Sequence, residues 1–244
     1  MADKSAIEWT EATWNPTTGC DRITPGCDHC YALSLAKRLK AMGNPKYQND
    51  GDPRTSGPGF GLTMHEDALT IPLRWRSPRT VFVNSMSDLF HARVSDTFIE
   101  RVFEVMEATP HHTYQVLTKR PIRLARLAAS LPWPDNVWMG VSIEQQREAW
   151  RADRLRDVPS AVRFISAEPL LGPLDLDLTR INWLIAGGES GSHHRPVKEE
   201  WIASLRDQCS AAGTAFFFKQ WGGIRAKTGG RTLDGRTWDE MPVT

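Results

Sequence analysis

Six short apolar segments, separated by helical patterns, place the strongest constraint on how this chain can fold. Each is rich in Val, Ile, Leu, Phe or Trp and too short for a helix, which is typical of strands buried on both faces. We predict strands at 81–83, 114–117, 137–141, 162–165, 183–186 and 215–218, with a weaker candidate at 12–17. Helices are predicted at 31–42, 95–108, 121–130, 145–156 and 197–212.

Strands that alternate with helices indicate βαβ units and a parallel sheet. Six or seven such units favour an α/β fold, a TIM-type (βα) barrel or partial barrel of six to seven parallel strands, with a doubly wound sheet as the alternative. The 244 residues, 40% of them hydrophobic, suit one core, so we predict a single domain over residues 1–244. Residues 43–79, which begin GNPKYQNDGDPRTSGPGFG, predict a loop-rich insertion, and residues 169–181 connect two strands without a helical pattern.

The sequence also constrains where the protein works. No apolar run approaches the roughly 20 residues that a membrane-spanning helix needs, and the N-terminal segment lacks the apolar stretch of a signal peptide. We therefore expect a cytoplasmic protein without a membrane partner. The formal net charge of +1, from 30 basic and 29 acidic residues, neither requires nor excludes a nucleic-acid partner.

Three cysteines lie within eleven positions, at Cys20, Cys27 and Cys30, with the spacing C-x6-C-x2-C. In a reducing compartment, thiols this close together are expected to be metal ligands rather than disulfide partners. A helix predicted to begin near Cys30 would point its amide dipoles at the site and favour thiolates. Three thiolates leave one metal position open, which favours an iron–sulfur cluster over a closed zinc site with four ligands. Zinc bound by the cysteines with His29 or a distant histidine stays an alternative.

Polar residues follow the predicted strands, at the edge where a βα barrel carries its chemistry. They include Asn84, Ser85, Asp88, Lys119, Ser142, Glu144, Glu168 and Glu189. Helix capping is the alternative role for Asp88 and Glu144, and a structural salt bridge is the alternative for Glu168. Two glycines before Glu189 would let the backbone approach a ligand closely.

Two further kinds of residue are candidates for the site. Trp14 and Trp221 are predicted near the mouth of the barrel, where their rings would stack on a base. Cys209 stands alone near a predicted helix end. A buried structural thiol is the favoured role for Cys209, and a hydrogen-atom donor is the alternative.

The cysteine segment resembles the cluster loop of radical S-adenosylmethionine (SAM) enzymes, because C-x2-C is followed by an aromatic residue after a first strand; here the first gap is six residues rather than three. A wider set of motifs resembles the phage Gp37/Gp68 family (DUF5131). These motifs span nearly the whole chain and are WNPTTGCDRITPGCDHCYA, LRWRSPRTVFVNSMSDLF, VLTKRP, GVSIE, FISAEPLLGPL, WLIAGGESG and FFFKQWGG.

The resemblance implies cofactors and residue roles. It implies a [4Fe–4S] cluster on the three cysteines, SAM at the open iron, and an electron donor such as a flavodoxin or ferredoxin. The cofactor contacts it implies follow the second, fourth and fifth predicted strands: Asn84, Ser85, Asp88, Ser142, Glu144 and Glu168. By the chemistry of their side chains rather than by the resemblance, the catalytic candidates are Glu189, Lys119 and Cys209.

The resulting hypothesis is a radical SAM enzyme that modifies or repairs a substrate, with a nucleic-acid base as the leading substrate class. The alternative is a zinc- or Fe–S-stabilised protein that binds nucleic acid or acts in redox reactions without catalysis.

Overall fold

The computed structural model describes residues 5 and 7–243, and one sheet of seven parallel strands forms its centre. Nine strands are present in the described residues: β1 (Ala12–Trp14), β2 (Thr17–Thr18), β3 (Thr63–Met64), β4 (Thr80–Val83), β5 (Thr113–Thr118), β6 (Val137–Ser142), β7 (Val162–Ala167), β8 (Trp183–Gly187) and β9 (Ala215–Gln220). The parallel sheet contains β1 and β4 to β9 in sequence order, whereas β2 and β3 form a separate antiparallel pair. The sheet curls into a partial barrel, so the predicted α/β class is confirmed. The doubly wound alternative is wrong, because such a sheet reverses its strand order.

Six helices are present in the described residues: α1 (Tyr31–Ala41), α2 (Glu66–Leu69), α3 (Asp96–Glu107), α4 (Pro121–Leu127), α5 (Arg151–Arg156) and α6 (Glu199–Ala212). All except the short α2, which lies in the segment predicted as loop, overlap a predicted helix. The helix predicted at 145–156 is divided into a 3-10 turn at 146–148 and α5. The Gln146 side chain bonds both the N–H and the C=O of Asp175, which ties this turn to the connection between β7 and β8. In the described part of the chain, no helix is long and apolar enough to cross a membrane.

Two hydrophobic clusters cover the two faces of the sheet. The larger one packs the strands against α3, α4, α5 and α6. The smaller one is largely aromatic and lies on the face turned away from the helices, inside the partial barrel; it includes Trp9, Phe82, Trp138, Phe164, Trp183 and Phe217. Trp183 is fully buried, with its ring 5.6 Å from that of Phe164. Gly140 makes room for this packing, because a Cβ there would lie 2.4 Å from the Phe164 ring.

The loop-rich segment 43–79 contains β3, α2 and two short 3-10 turns. Its β3 strand pairs with β2, which places the segment beside the first cysteine. Gly19 adopts φ +85°, and a Cβ there would lie 2.3 Å from the Gly61 carbonyl oxygen. Only glycine allows this close approach. That residues 1–244 form one domain with an insertion stays a prediction.

The outer edge of β9 is covered by residues 238–240. Phe218 N–H donates to the Trp238 carbonyl at 2.9 Å, and Glu240 N–H donates to the Phe216 carbonyl at 3.2 Å. The contact is antiparallel and centres on Phe217 and Asp239. The terminal strand of the sheet therefore does not expose all of its backbone hydrogen-bonding groups.

Replacing Trp183 with Ala should lower the free energy of unfolding by about 3–5 kcal/mol, because the substitution leaves a cavity in the aromatic interior. Trp150→Ala is the matched control, since that side chain is 43% exposed; a change within about 0.5 kcal/mol is expected there. Urea denaturation of both variants measures the difference. Equal losses of stability would show that the interior cluster is not what stabilises the barrel.

Candidate metal centre

The cysteine loop, residues 20–30, follows β2 and lies at the carboxyl edge of the parallel sheet. Gly19 N–H donates to the Met86 carbonyl at 3.0 Å, which holds the start of the loop against the residues that follow β4. The three cysteines are free and partly buried. Cys30 directly precedes α1, so the positive end of the helix dipole lies beside this thiol. The predicted helix start is therefore confirmed.

Arg120 connects the first cysteine to the end of β4. Its Nη1 donates to Cys20 Sγ at 3.4 Å and to Asp88 Oδ2 at 2.8 Å, and its Nη2 donates to the Asp21 carbonyl at 3.0 Å. The side chains of Arg120 and Asp88 are only 14% and 8% exposed. The guanidinium therefore holds both Cys20 and the following residue.

Asp88 is in turn fixed by donors from its own turn and from β5. Its Oδ1 accepts hydrogen bonds from Phe90 N–H and from the Thr118 hydroxyl, and its Oδ2 accepts one from Lys119 N–H at 3.0 Å. Because both oxygens of the Asp88 carboxylate are held by groups of the protein, Asp88 is fixed in place and in turn positions Arg120. Its predicted contact with the SAM amino group stays a prediction.

Glu144 lies beneath the second part of the cysteine loop and is 1% exposed. Its Oε1 contacts Lys119 Nζ and accepts from the Thr24 hydroxyl at 3.1 Å, while its Oε2 accepts from Arg151 at 3.2 Å. The loop can lie this close to Glu144 only because residue 26 is a glycine: a Cβ at Gly26 would lie 2.4 Å from Glu144 Oε1. Burial would raise the pKa of Glu144, but Lys119, Arg151 and Thr24 outweigh it and hold that pKa below its ordinary value.

Glu189 fixes the end of the cysteine loop, near His29. Its Oε2 lies 3.1 Å from His29 Nδ1 and accepts from Arg195 Nε at 2.9 Å. The Arg195 guanidinium also donates to the Pro25 carbonyl at 2.9 Å. Burial favours the protonated form of Glu189, yet the hydrogen bonds from Arg195 and His29 lower its pKa overall.

The remaining predicted contacts lie along the same edge and also have protein partners. The Asn84 amide donates to the Thr17 hydroxyl at 3.0 Å, and Ser85 shares hydrogen bonds with Asn15. Ser142 is buried, and its carbonyl accepts from Arg151 at 2.6 Å. Glu168 forms an ion pair with Lys219, with 2.8 Å between Oε2 and Nζ. Their contact with a cofactor stays a prediction.

Three expectations about the site need correction. Cys209 is fully buried in the larger cluster, beside the starts of β8 and β9 and therefore at the edge opposite the cysteine loop. This position agrees with the favoured role of a buried structural thiol, and a hydrogen-atom donor at the mouth cannot occupy it, so Cys209 is not a catalytic candidate. Trp14 is fully buried, with its indole N–H on the Ala68 carbonyl, and cannot stack on a base. Gly188 approaches another loop rather than a ligand, because a Cβ there would lie 2.0 Å from the Trp221 carbonyl oxygen.

Asp21 is a site residue that the sequence did not reveal. Its Oδ2 lies 2.9 Å from His91 Nε2 and accepts from Arg93 at 3.1 Å, while its Oδ1 accepts from the Thr55 hydroxyl at 2.7 Å. Asp21 therefore joins the cysteine loop to the 43–79 segment and to the residues after β4. The one signal in the sequence is an acidic residue directly after Cys20, which does not identify partners 34 to 72 residues away.

The thiols fit a cluster by their chemistry and surroundings. Within residues 5 and 7–243, no three Cys, His, Asp or Glu side chains converge as they would on a single metal ion. A cluster needs no such convergence, because each thiolate binds its own iron. Burial is the main reason that the pKa of Cys20 rises to about 12; Arg120 offsets the rise in part, and Asp88 and Cys27 contribute to it. Cys20 and Cys27 therefore interact, and the positive charge of bound iron would favour the thiolate form of these side chains.

The fold and this loop together define a partial-barrel protein with three free thiols at its carboxyl edge. The chain belongs to the family described as protein of unknown function (DUF5131), whose model matches residues 4–242, so the resemblance to DUF5131 is confirmed. No curated protein matches the chain.

Two solved structures are similar to part of the chain: spore photoproduct lyase complexed with dinucleoside spore photoproduct, and a cysteine-to-alanine mutant of that lyase with the same ligand. Both are 12% identical, with TM-scores of 0.43 and 0.44. Each match covers 71% of this chain and 54% of the lyase chain, so this chain spans about half the length of that protein.

Replacing Glu144 with Gln should lower the free energy of unfolding at neutral pH by about 3–5 kcal/mol, because Lys119 and Arg151 lose the carboxylate that compensates them. Glu66→Gln is the control, since Glu66 is exposed and pairs with Arg101 at the surface; a change below about 1 kcal/mol is expected.

The effect of Glu144→Gln should also depend on pH. Because the folded-state pKa of Glu144 lies below its ordinary value of 4.5, its charge stabilises the protein fully above that value. This contribution is lost as the pH falls through the lower, folded-state pKa. Urea denaturation of wild type and variant at a series of pH values measures the gap between them. A gap that widens on acidification would contradict the assignment.

Proposed function

We propose that this protein is a radical SAM enzyme in which Cys20, Cys27 and Cys30 hold a [4Fe–4S] cluster. One observation carries the proposal: three free thiols occupy a single loop at the carboxyl edge of a parallel partial barrel, and side chains from the ends of its strands hold that loop. In such barrels this edge is where chemistry takes place. The count of three supports a cluster with one iron left open rather than a closed structural site.

When bound, the cluster would supply the electron for reductive cleavage of SAM. The chain's own residues bind and orient the reactants. Arg120 holds Cys20, Glu144 supports the loop below Gly26, and Glu189 fixes His29. We assign contact with SAM to the strand-end residues Asn84, Ser85, Asp88, Ser142, Glu144 and Glu168, and we assign contact with the substrate to Lys119 and Glu189.

A nucleic-acid base is the substrate class we propose. Support comes from an aromatic ring and imidazoles beside the thiols, which suit stacking on bases and contact with phosphates. Tyr31 follows Cys30 directly and is 54% exposed. The His193 ring lies 6.1 Å from that of His29. We propose the reducing cytoplasm as the location and a flavodoxin or ferredoxin as the electron donor.

Cys27→Ala should abolish cluster retention, because it removes one of three iron ligands. Cys209→Ala is the matched control, since it removes a thiol at the opposite edge of the sheet and should leave iron content unchanged. Anaerobic reconstitution followed by iron and sulfide analysis should give about four irons per chain in wild type and control. Full iron content in Cys27→Ala would exclude Cys27 as a ligand, and a colourless wild type with one zinc would favour the zinc-stabilised alternative.

Reconstituted wild type should convert SAM to 5′-deoxyadenosine in the presence of dithionite, and reconstituted Cys27→Ala should not. The reason is that SAM cleavage needs a reduced cluster with an open iron. Chromatography of the reaction mixture measures the product. A cluster that forms and is reduced without any product would favour the redox protein without catalysis.

A further inference from the structure

We propose that Arg120 is a positioning residue that raises the reduction potential of the cluster by donating a hydrogen bond to the sulfur of Cys20. The inference rests on the proposed function, because it requires the three cysteines to hold a cluster. It goes further by assigning to one side chain the control of how readily the cluster is reduced.

The first step of the argument is the contact itself. Arg120 Nη1 lies 3.4 Å from Cys20 Sγ, within hydrogen-bonding distance for sulfur. The same guanidinium donates to the Asp21 carbonyl through Nη2. The planar fork of an arginine can serve both acceptors at once, whereas a lysine ammonium is a point charge that does not match this geometry.

The second step is that the guanidinium is held in place before any cluster binds. Asp88 accepts from Arg120 at 2.8 Å and is itself fixed by the Thr118 hydroxyl at 2.7 Å and by Lys119 N–H. Both members of the Arg120–Asp88 pair are largely buried. Arg120 therefore differs from a surface arginine, whose contacts are weakened by solvent and by side-chain freedom.

The third step is that Cys20 differs from the other two ligands. Among the hydrogen bonds of residues 5 and 7–243, it is the ligand sulfur that receives one from a cationic side chain. The nearest side-chain partner of Cys27 Sγ is the Thr24 hydroxyl, at 3.8 Å. The influence of Arg120 is thus directed at one corner of the cluster.

The physical consequence concerns the one-electron reduction of the cluster. The added electron comes from the external reductant and increases the negative charge on the ligand sulfurs. A fixed positive donor stabilises that charge, and it acts strongly because the Arg120 and Asp88 side chains are largely shielded from water. Removing the donor should make the cluster harder to reduce.

The test compares midpoint potentials of reconstituted proteins in dithionite titrations followed by electron paramagnetic resonance. Arg120→Met should lower the ratio of reduced to oxidised cluster about tenfold at a fixed potential, a shift of about 59 mV for one electron. Arg93→Met is the control, because it also removes one positive charge, but from an arginine that bonds the Asp21 side chain and no ligand sulfur. The shift in its midpoint potential should be much smaller. Equal shifts in the two variants would overturn the hydrogen-bond role.

A double variant keeps the test valid if Arg120→Met alone destabilises the fold. Arg120→Met leaves Asp88 as a buried carboxylate without its cation, which can destabilise the fold. Asp88→Asn combined with Arg120→Met removes both charges and should still lower the potential, because the hydrogen bond to Cys20 is lost, but by less than Arg120→Met alone, because the lost Asp88 charge acts in the opposite direction. Wild-type potential in a double variant that holds about four irons would overturn the inference and leave the proposed function intact.

Two further outcomes are decisive. A wild-type protein that binds no iron would overturn the proposed function together with this inference. An Arg120→Met variant that is as thermally stable as wild type but holds no iron would also overturn the inference. Arg120 would then be needed to retain the cluster rather than to set its reduction potential. Arg120→Lys should retain iron with an intermediate potential, since the charge remains and the fork is lost.

Discussion

The rest of the site depends on the interactions of one buried carboxylate, that of Glu144, beneath the cysteine loop. An ionised carboxylate loses several kcal/mol of solvation on burial unless cations and hydrogen bonds replace the water. Glu144 obtains them from Lys119 after β5, from Arg151 in α5 and from Thr24 in the loop. These partners meet only when the sheet, the helix and the loop are assembled together. Electrostatic contacts therefore hold the middle of the loop on the sheet, while Cys20 and Cys30 at its two ends also pack against an apolar cluster that includes Phe60 and Met86.

Most of the fold could be predicted from the sequence, because buried parallel strands are continuous apolar runs with clear boundaries. The sequential strand order was the favoured one of the two that this pattern allows. Two features could not be read in this way. The turn before α5 depends on a side chain that binds the distant Asp175 backbone, and β3 exists because segment 43–79 folds back onto β2. Both result from contacts between residues far apart in the chain.

The candidate site was predictable in its components but not in its connections. The cysteines and the polar strand ends are visible as residue types at particular positions, and the structure brings Asp88, Glu144 and Glu189 to the cysteine loop. The partners of these side chains could not be predicted, because Thr24 and Glu144 are separated by 120 residues and His29 and Glu189 by 160. For Cys209 the favoured prediction of a buried structural thiol agrees with the structure, but a helical residue near a glycine gives no indication of which edge of the sheet it approaches.

The short contact between residues 238–240 and β9 has a consequence for how the protein behaves at high concentration. A parallel sheet that ends in an apolar strand such as Phe216–Phe218 is a template on which another chain can add a strand. Here the protein's own backbone occupies part of that template, and Arg231 and Asp239 place opposite charges beside it. The segment therefore leaves less of this edge of the sheet free to pair with a strand of another molecule.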